Sequence, residues 1–217
     1  MLHDFIYYSD DPVLPATTCN DLITKFEDSP YKRAGITGTP SENEQVVKPL
    51  DEVKLSTDIH ITSTKGFEEE DNICRKYLFE EIKHYKSLIE ERTPVYFTLN
   101  ENMRYMGFNM QRTNPGEFYH WHCDEDILHN KWARSITYIF YLNDIHNDGY
   151  TEFYNGLKIQ PKQGHCLIFP ATWSFVHRGY PPKDETKYII TGWLYSHGMT
   201  AAVSDPAGRT RPHYEDQ

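Results

Sequence analysis

His122 and Asp124 stand two apart in the stretch Phe118-Tyr119-His120-Trp121-His122-Cys123-Asp124-Glu125. On an extended strand that spacing turns both side chains to one face. An imidazole and a carboxylate held side by side supply two of the three ligands of a two-His, one-carboxylate site. That set leaves three positions open on a non-haem iron(II). The third ligand must come from elsewhere, and His177, at the end of a late strand in Phe175-Val176-His177-Arg178-Gly179, is the candidate. The plainer reading of His177 is a histidine hydrogen-bonded at a strand end.

Across the next turn, Lys187 opens the apolar run Thr186 to Tyr195, TKYIITGWLY. Lys187, Thr191 and Trp193 share parity and therefore one face of that strand. A lysine facing inward in so apolar a strand is costly unless paired, and a bound carboxylate would offset that cost. The alternative is a strand-end lysine whose ammonium snorkels to water. On the other strong run, Arg134 to Asn143 (RSITYIFYLN), alternation puts Tyr141 on the face opposite Arg134, Ile136 and Tyr138. The Tyr141 hydroxyl is then a candidate to reach the same bound group, or a core tyrosine at a barrel mouth.

The elements that must position these residues follow from periodicity. A strand is expected at Phe5 to Tyr8. A helix over residues 18–27 follows, capped by Thr17 or Thr18, with Cys19, Leu22, Ile23 and Phe26 at helical spacing. Residues 28–56 read as loop with one short strand near Val46-Val47. Asp58 to Thr62 alternates as a strand. Phe67 to Arg92 is the longest helix, with Ile73, Tyr77, Ile82, Tyr85 and Ile89 recurring on one face, acidic residues in the first turns and Pro94 beyond its end. After Pro94 the period changes to two. Residues 104–195 hold about eight short strands separated by turns such as Asn114-Pro115-Gly116 and Asn155-Gly156. Strands without crossover helices exclude a Rossmann-type sheet and point to a barrel or two-sheet jelly roll. The expected organisation is one domain over 1–217: helix-containing support over 1–103, the strand-rich core over 104–195, and a polar tail over 196–217.

Composition agrees. A chain of 217 residues, 38% hydrophobic and 25% charged, suits one globular domain. A net charge of −10 disfavours nucleic acid and anionic membranes as partners. Cys19, Cys74, Cys123 and Cys166 form no C-x-x-C pair, so reduced thiols are expected. The first residues show no basic stretch followed by an apolar run, and no segment is apolar enough to span a bilayer. A cytoplasmic location is the expectation.

Taken together, these pieces resemble the iron(II)/2-oxoglutarate-dependent dioxygenases of the prolyl 4-hydroxylase-like branch. The matching residues are Pro115-Gly116-x-x-Tyr119-x-x-His122-x-Asp124, Arg134 through Tyr141-Leu142-Asn143, Gly149-Tyr150-Thr151-Glu152-Phe153, Pro161-Lys162-x-Gly164-x-x-Leu167-Ile168-Phe169-Pro170, and His177-Arg178-Gly179 through Lys187-Tyr188 to Thr191-Gly192-Trp193. The resemblance implies an α+β, mainly β fold: a double-stranded β-helix with N-terminal supporting helices. It implies His122, Asp124 and His177 as iron ligands, and Lys187 as partner of the distal carboxylate of 2-oxoglutarate, helped by Tyr141 and Thr191. The co-substrates are 2-oxoglutarate and O2, with ascorbate as an associated reductant, and the products are succinate and carbon dioxide. By analogy the substrate is a prolyl residue in a peptide or protein, with Arg134, Trp132 and Trp193 facing it. The loop 125–133, which carries Lys131 and Trp132, and the segment 28–56 are candidate covers. This chain departs from the family where a tyrosine often precedes the turn: it has Gln111-Arg112-Thr113. Asp148-Gly149 replaces the family's Gly-Gly pair.

Two other readings compete. His120, His122 and Asp124 share parity, and a cupin-like site could combine His120, His122, a nearby acid and His165 or His177, without 2-oxoglutarate. That reading leaves Lys187 unexplained. A non-catalytic barrel is the second. Free amino acids, other small molecules and nucleic acids are the alternative substrates. His120 is otherwise a neighbour of the ligands, and Tyr119 faces away from them if the strand is straight.

Overall fold

The computed structural model describes residues 2–37, 51–92, 103–128 and 132–197. Its strands, in chain order, are β1 (Tyr7–Tyr8), β2 (Arg33–Ala34), β3 (Thr57–His60), β4 (Arg104–Tyr105), β5 (Asn109–Thr113), β6 (Tyr119–His122), β7 (Ile127–Leu128), β8 (Trp132–Tyr141), β9 (Thr151–Phe153), β10 (Lys158–Ile159), β11 (Cys166–Pro170), β12 (His177–Gly179) and β13 (Lys187–His197). Two helices, α1 (Ala16–Asp28) and α2 (Glu68–Arg92), precede the main run of strands.

The strands form two antiparallel sheets. The larger runs β1-β11-β8-β13-β5-β3-β2, with β4 on β13 and β7 on β8; the smaller runs β10-β9-β12-β6. This two-sheet arrangement, one of the two that the strand pattern allows, is the double-stranded β-helix that the resemblance implies. The two faces of the large sheet do different work. Its outer face, with Met110, Ile136, Tyr138, Phe140, Ile190 and Leu194, is covered by Cys19, Leu22 and Phe26 of α1 and by Cys74, Leu78, Tyr85 and Ile89 of α2. The inner face, with Ile139, Tyr141, Leu167 and Phe169, packs on Phe153 and Ile159 of the small sheet. Strands β8 and β13 are therefore covered on both sides, which is why they read as continuous apolar runs.

Several local expectations shift. Helix α1 starts at Ala16 with Pro15 at its N-cap and no side-chain cap; Thr17 and Thr18 lie inside it. A proline there has no N–H to satisfy and its fixed φ suits a helix start. The fully buried line of α2 is Cys74, Leu78, Tyr85 and Ile89, with Tyr77 and Ile82 partly buried beside it. The alternation at Asp58 to Thr62 ends at His60, where a 3-10 turn, Ile61–Ser63, takes over. A second 3-10 turn, Trp173–Phe175, precedes β12, so the strand there starts at His177. Residues 104–195 hold ten strands, because the short β4 and β7 add to the main set. The strand expected near Val46-Val47, Pro94, Lys131 and the tail from residue 198 lie outside the described residues. Among the described residues no helix is long and apolar enough to cross a membrane.

Candidate metal centre and its pocket

Strands β12 and β6 pair so that His177 stands directly opposite His122. Their rings lie 4.3 Å apart, centroid to centroid. Asp124 is not on the strand. β6 ends at His122, and the carboxylate reaches back from the following segment, with Oδ1 3.6 Å from Nε2 of His122 and Oδ2 3.6 Å from Nε2 of His177. The ligand-type atoms of these residues all lie within 4.8 Å of one another.

Each imidazole is oriented from behind. Nδ1 of His122 donates to the His120 carbonyl at 2.8 Å, and Nδ1 of His177 donates to the Phe175 carbonyl at 3.0 Å. A carbonyl can only accept, so each Nδ1 carries a proton, and in the neutral form of the ring Nε2 presents its lone pair to the centre. Burial, and then the neighbouring His177, push His122 far below the usual imidazole range, so it is neutral. Burial works to raise Asp124, but His177 and His122, with the Thr137 hydroxyl at 2.8 Å, outweigh it and hold the carboxyl ionised. Two imidazole nitrogens and a carboxylate converging on one point fit an iron(II) ion.

Two bulges aim the neighbouring side chains, and alternation alone misplaces both. His177 pairs with His122 and Gly179 with Tyr119, so β6 spends three residues where β12 spends two. The extra residue brings Tyr119 to the same side as His122. Far from facing away, its ring stacks on the imidazole at 3.6 Å and 17°. Likewise, Leu194 pairs with Ile136 but Tyr195 with Arg134, which leaves Ser135 as an extra residue in β8. Arg134 therefore joins Thr137 and Ile139 in the pocket instead of lying on the outer face with Ile136 and Tyr138. Its guanidinium lies 3.8 Å from the Trp193 ring centroid.

Lys187 lines the same pocket and is 4% exposed. Its ammonium donates to the Gly149 carbonyl at 2.9 Å, and no carboxylate among the described residues pairs with it. Burial alone pulls its pKa down to about 8. A cation stranded in this way fits a carboxylate-bearing ligand. Thr191 and Trp193 line the pocket too, and Thr191 already donates to the Tyr138 carbonyl at 3.0 Å. Tyr141 is fully buried and does not line the pocket; its hydroxyl lies 2.7 Å from that of Thr151, which does. Trp132 does not line the pocket; its ring lies under the Arg104 guanidinium at 4.5 Å.

The cupin-like set is not assembled. The His120 side chain is exposed, and its Nδ1 accepts from the Trp121 N–H. His165 is turned to Ser9 and stacks on Tyr8. His120 serves the centre through its carbonyl.

Sequence reading missed a further wall. Asp58 and His60 of β3, and Asn109, Gln111 and Thr113 of β5, continue the inner face past β13. Lys54 joins them from a bridge opposite Tyr119. The even spacing of Asp58 and His60 was the available signal; nothing local pointed to Lys54.

Residues 108–195 match the family model described as the 2OG-Fe(II) oxygenase superfamily. The description of that model names both iron(II) and 2-oxoglutarate, and the matched segment contains His122, Asp124, His177 and Lys187. The fold resembles that of solved prolyl hydroxylases. A viral collagen prolyl hydroxylase from Paramecium Bursaria Chlorella virus-1, in its 2OG complex, superposes with a TM-score of 0.62 at 18% identity, over 88% of this chain and 96% of that one. A Pseudomonas putida prolyl-4-hydroxylase gives 0.57 at 16%, over 88% and 93%. A Trichoplax adhaerens prolyl hydroxylase, in complex with a hypoxia inducible factor oxygen degradation domain peptide fragment, gives 0.64 at 17%, over 88% and 84%. No curated protein matches the chain.

Proposed function

We propose that this chain is an iron(II)- and 2-oxoglutarate-dependent dioxygenase that hydroxylates a prolyl residue in a peptide or protein. The observation that carries the reading is a buried lysine, Lys187, unmatched by any described carboxylate, in the same pocket as His122, Asp124 and His177. A metal site alone would not need that cation. A chelating dicarboxylate needs both.

In this reading His122, Asp124 and His177 hold the iron, and Lys187 takes the distal carboxylate of 2-oxoglutarate. Bound together, the two groups supply oxidative decarboxylation to succinate and carbon dioxide coupled to oxygen insertion into a C–H bond. The chain supplies placement and dryness. The Thr137 hydroxyl fixes one oxygen of Asp124. Ile139 and Ile189 present apolar surface to the pocket and exclude water from it. Tyr141 orients the Thr151 hydroxyl toward the same space. Arg134, its guanidinium over the Trp193 ring, offers a cation and an aromatic edge to a substrate backbone or ring.

A prolyl substrate is the reading by analogy with the prolyl hydroxylases of the same fold. The test is a panel of peptides, with and without proline, incubated with iron(II), 2-oxoglutarate and O2 and read by mass spectrometry. Gain of one oxygen atom confined to proline-containing members is the expected result. Turnover to succinate with no oxygenated peptide would move the substrate to another class.

A further inference from the structure

We propose that Lys54, pinned by Asp58, is a positioning residue for the metal ligand His122 and acts through the ring of Tyr119. This rests on reading His122, Asp124 and His177 as a metal site.

The ion pair sits where the chain crosses between the sheets. Residues 53–55 lie along the ligand strand: the Leu55 N–H donates to the Phe118 carbonyl at 2.7 Å, the His120 N–H donates to the Val53 carbonyl at 2.8 Å, and Lys54 bridges Tyr119. A few residues later Asp58 is in β3 of the large sheet, opposite Gln111. The Lys54 ammonium meets the Asp58 carboxylate at 2.9 Å, and both side chains are 4% exposed. Asp58 cannot swing to follow it. Its Oδ1 accepts from Ser56 at 2.7 Å, and its Oδ2 accepts from Asn109 at 2.9 Å as well as from Lys54. The pair is a strut from the large sheet to the strand that carries His122.

The load passes through one ring. The ammonium stands 5.2 Å from the Tyr119 centroid, and that ring lies on His122 at 3.6 Å. A hydrogen bond at Nδ1 fixes one end of an imidazole but lets the plane rotate about it. The stacked ring stops that rotation, and so sets where Nε2 points. Stability is a poor explanation for the strut. Two buried charges cost desolvation that their attraction barely returns, and apolar residues of like volume commonly do as well or better. Placement of a ligand is what an apolar pair would fail to reproduce, since it would lose both the directional pairing with Asp58 and the attraction of an ammonium for the ring face.

The test compares the full chain with Lys54→Met/Asp58→Leu, Tyr119→Phe and Tyr119→Leu, titrated with cobalt(II) and followed by its visible absorption, with thermal melting alongside. In the double variant the melting temperature is expected to hold or rise, while cobalt affinity falls by about tenfold or more and the spectrum shifts. Tyr119→Phe should keep the wild-type affinity and spectrum, and Tyr119→Leu should copy the double variant. Wild-type binding and spectrum in the double variant overturn the proposal. So does Tyr119→Phe behaving like Tyr119→Leu, which would give the effect to the hydroxyl bonded to Thr37. If the double variant does not fold, the two Tyr119 variants decide. Wild-type protein that binds no cobalt overturns the metal site itself.

Discussion

His122 and His177 face each other across the β6–β12 pair, as direct partners in the ladder. Their separation is thus set by main-chain hydrogen bonds, and each ring is then held by the carbonyl two residues before it in the chain. The site is built before any ion arrives. His177→Ala should accordingly leave circular dichroism unchanged while metal affinity falls by more than about 100-fold, beyond the loss usual for residues that only support a ligand. Loss of folded signal in that variant would mean His177 is a core residue first.

Lys187 costs the empty protein something. Its pKa falls from 10.5 to about 8 through burial. Lys187→Met should therefore not lower the melting temperature, and can gain up to roughly 3 kcal/mol. The same variant should lose the stabilisation that 2-oxoglutarate gives the metal-loaded wild type. A variant still stabilised by the dicarboxylate would remove Lys187 from the site.

The same depressed pKa sets a pH profile. For the empty protein the sign is fixed by proton counting: between pH 8 and 10.5 the unfolded chain holds the Lys187 proton and the folded chain does not. This group's penalty is then present in full below pH 8 and is relieved as pH rises through that window. Binding runs the other way. Dicarboxylate affinity should be flat below about pH 8 and fall up to about tenfold per unit above it. Calorimetry in buffers of different ionisation enthalpy checks it, with proton uptake on binding appearing only above pH 8.

Arg134 owes its place in the pocket to the extra residue at Ser135. Arg134→Lys keeps the charge but loses the guanidinium's contact with the Trp193 ring, worth about 0.5–2 kcal/mol. We expect KM for the peptide to rise while succinate release without peptide is unchanged. Equal loss of both would make Arg134 a partner of the metal centre instead.

Gly192 tests the packing behind the site. A Cβ there would fall on the Tyr138 hydroxyl and 2.5 Å from the Gly107 carbonyl oxygen, between groups that share a 2.9 Å hydrogen bond. Gly192→Ala should destabilise by about 2–3 kcal/mol, lowering the melting temperature by about 5–10 °C. An unchanged melt would show that β13 can shift away from the Tyr138 ring and Gly107.

The ligand types and Lys187 were legible because their chemistry depends on residue type and because β8 and β13 are long, regular and covered on both faces. What stayed hidden was hidden for a physical reason. Alternation assumes one residue per step, and a bulge inserts one without changing any residue type. Strict alternation, which picks out the strands themselves, therefore puts Arg134 on the wrong face, and Tyr119 too if β6 is taken as straight. Its spacing from His122 suggests that Asp124 continues an extended strand, but it lies past the end of β6, in a segment no periodicity describes. The partnership of Lys54 with Asp58 depends on the chain changing sheets between them, which a linear pattern does not display.

The order of strands in the large sheet has a consequence for how the molecule comes into being. β13, the last strand among the described residues, lies in the middle, with β8 on one side and β5 on the other. A chain emerging from its N-terminus cannot join those two halves until residues 187–197 exist. Before then both β8 and β5 present open edges, the kind that recruit other chains. The insertion of β13 is a late, long-range event, of the sort that makes folding slow. It also delivers Lys187. The anchor proposed for the co-substrate arrives with the strand that seals the sheet, so a partly made chain cannot assemble a working site.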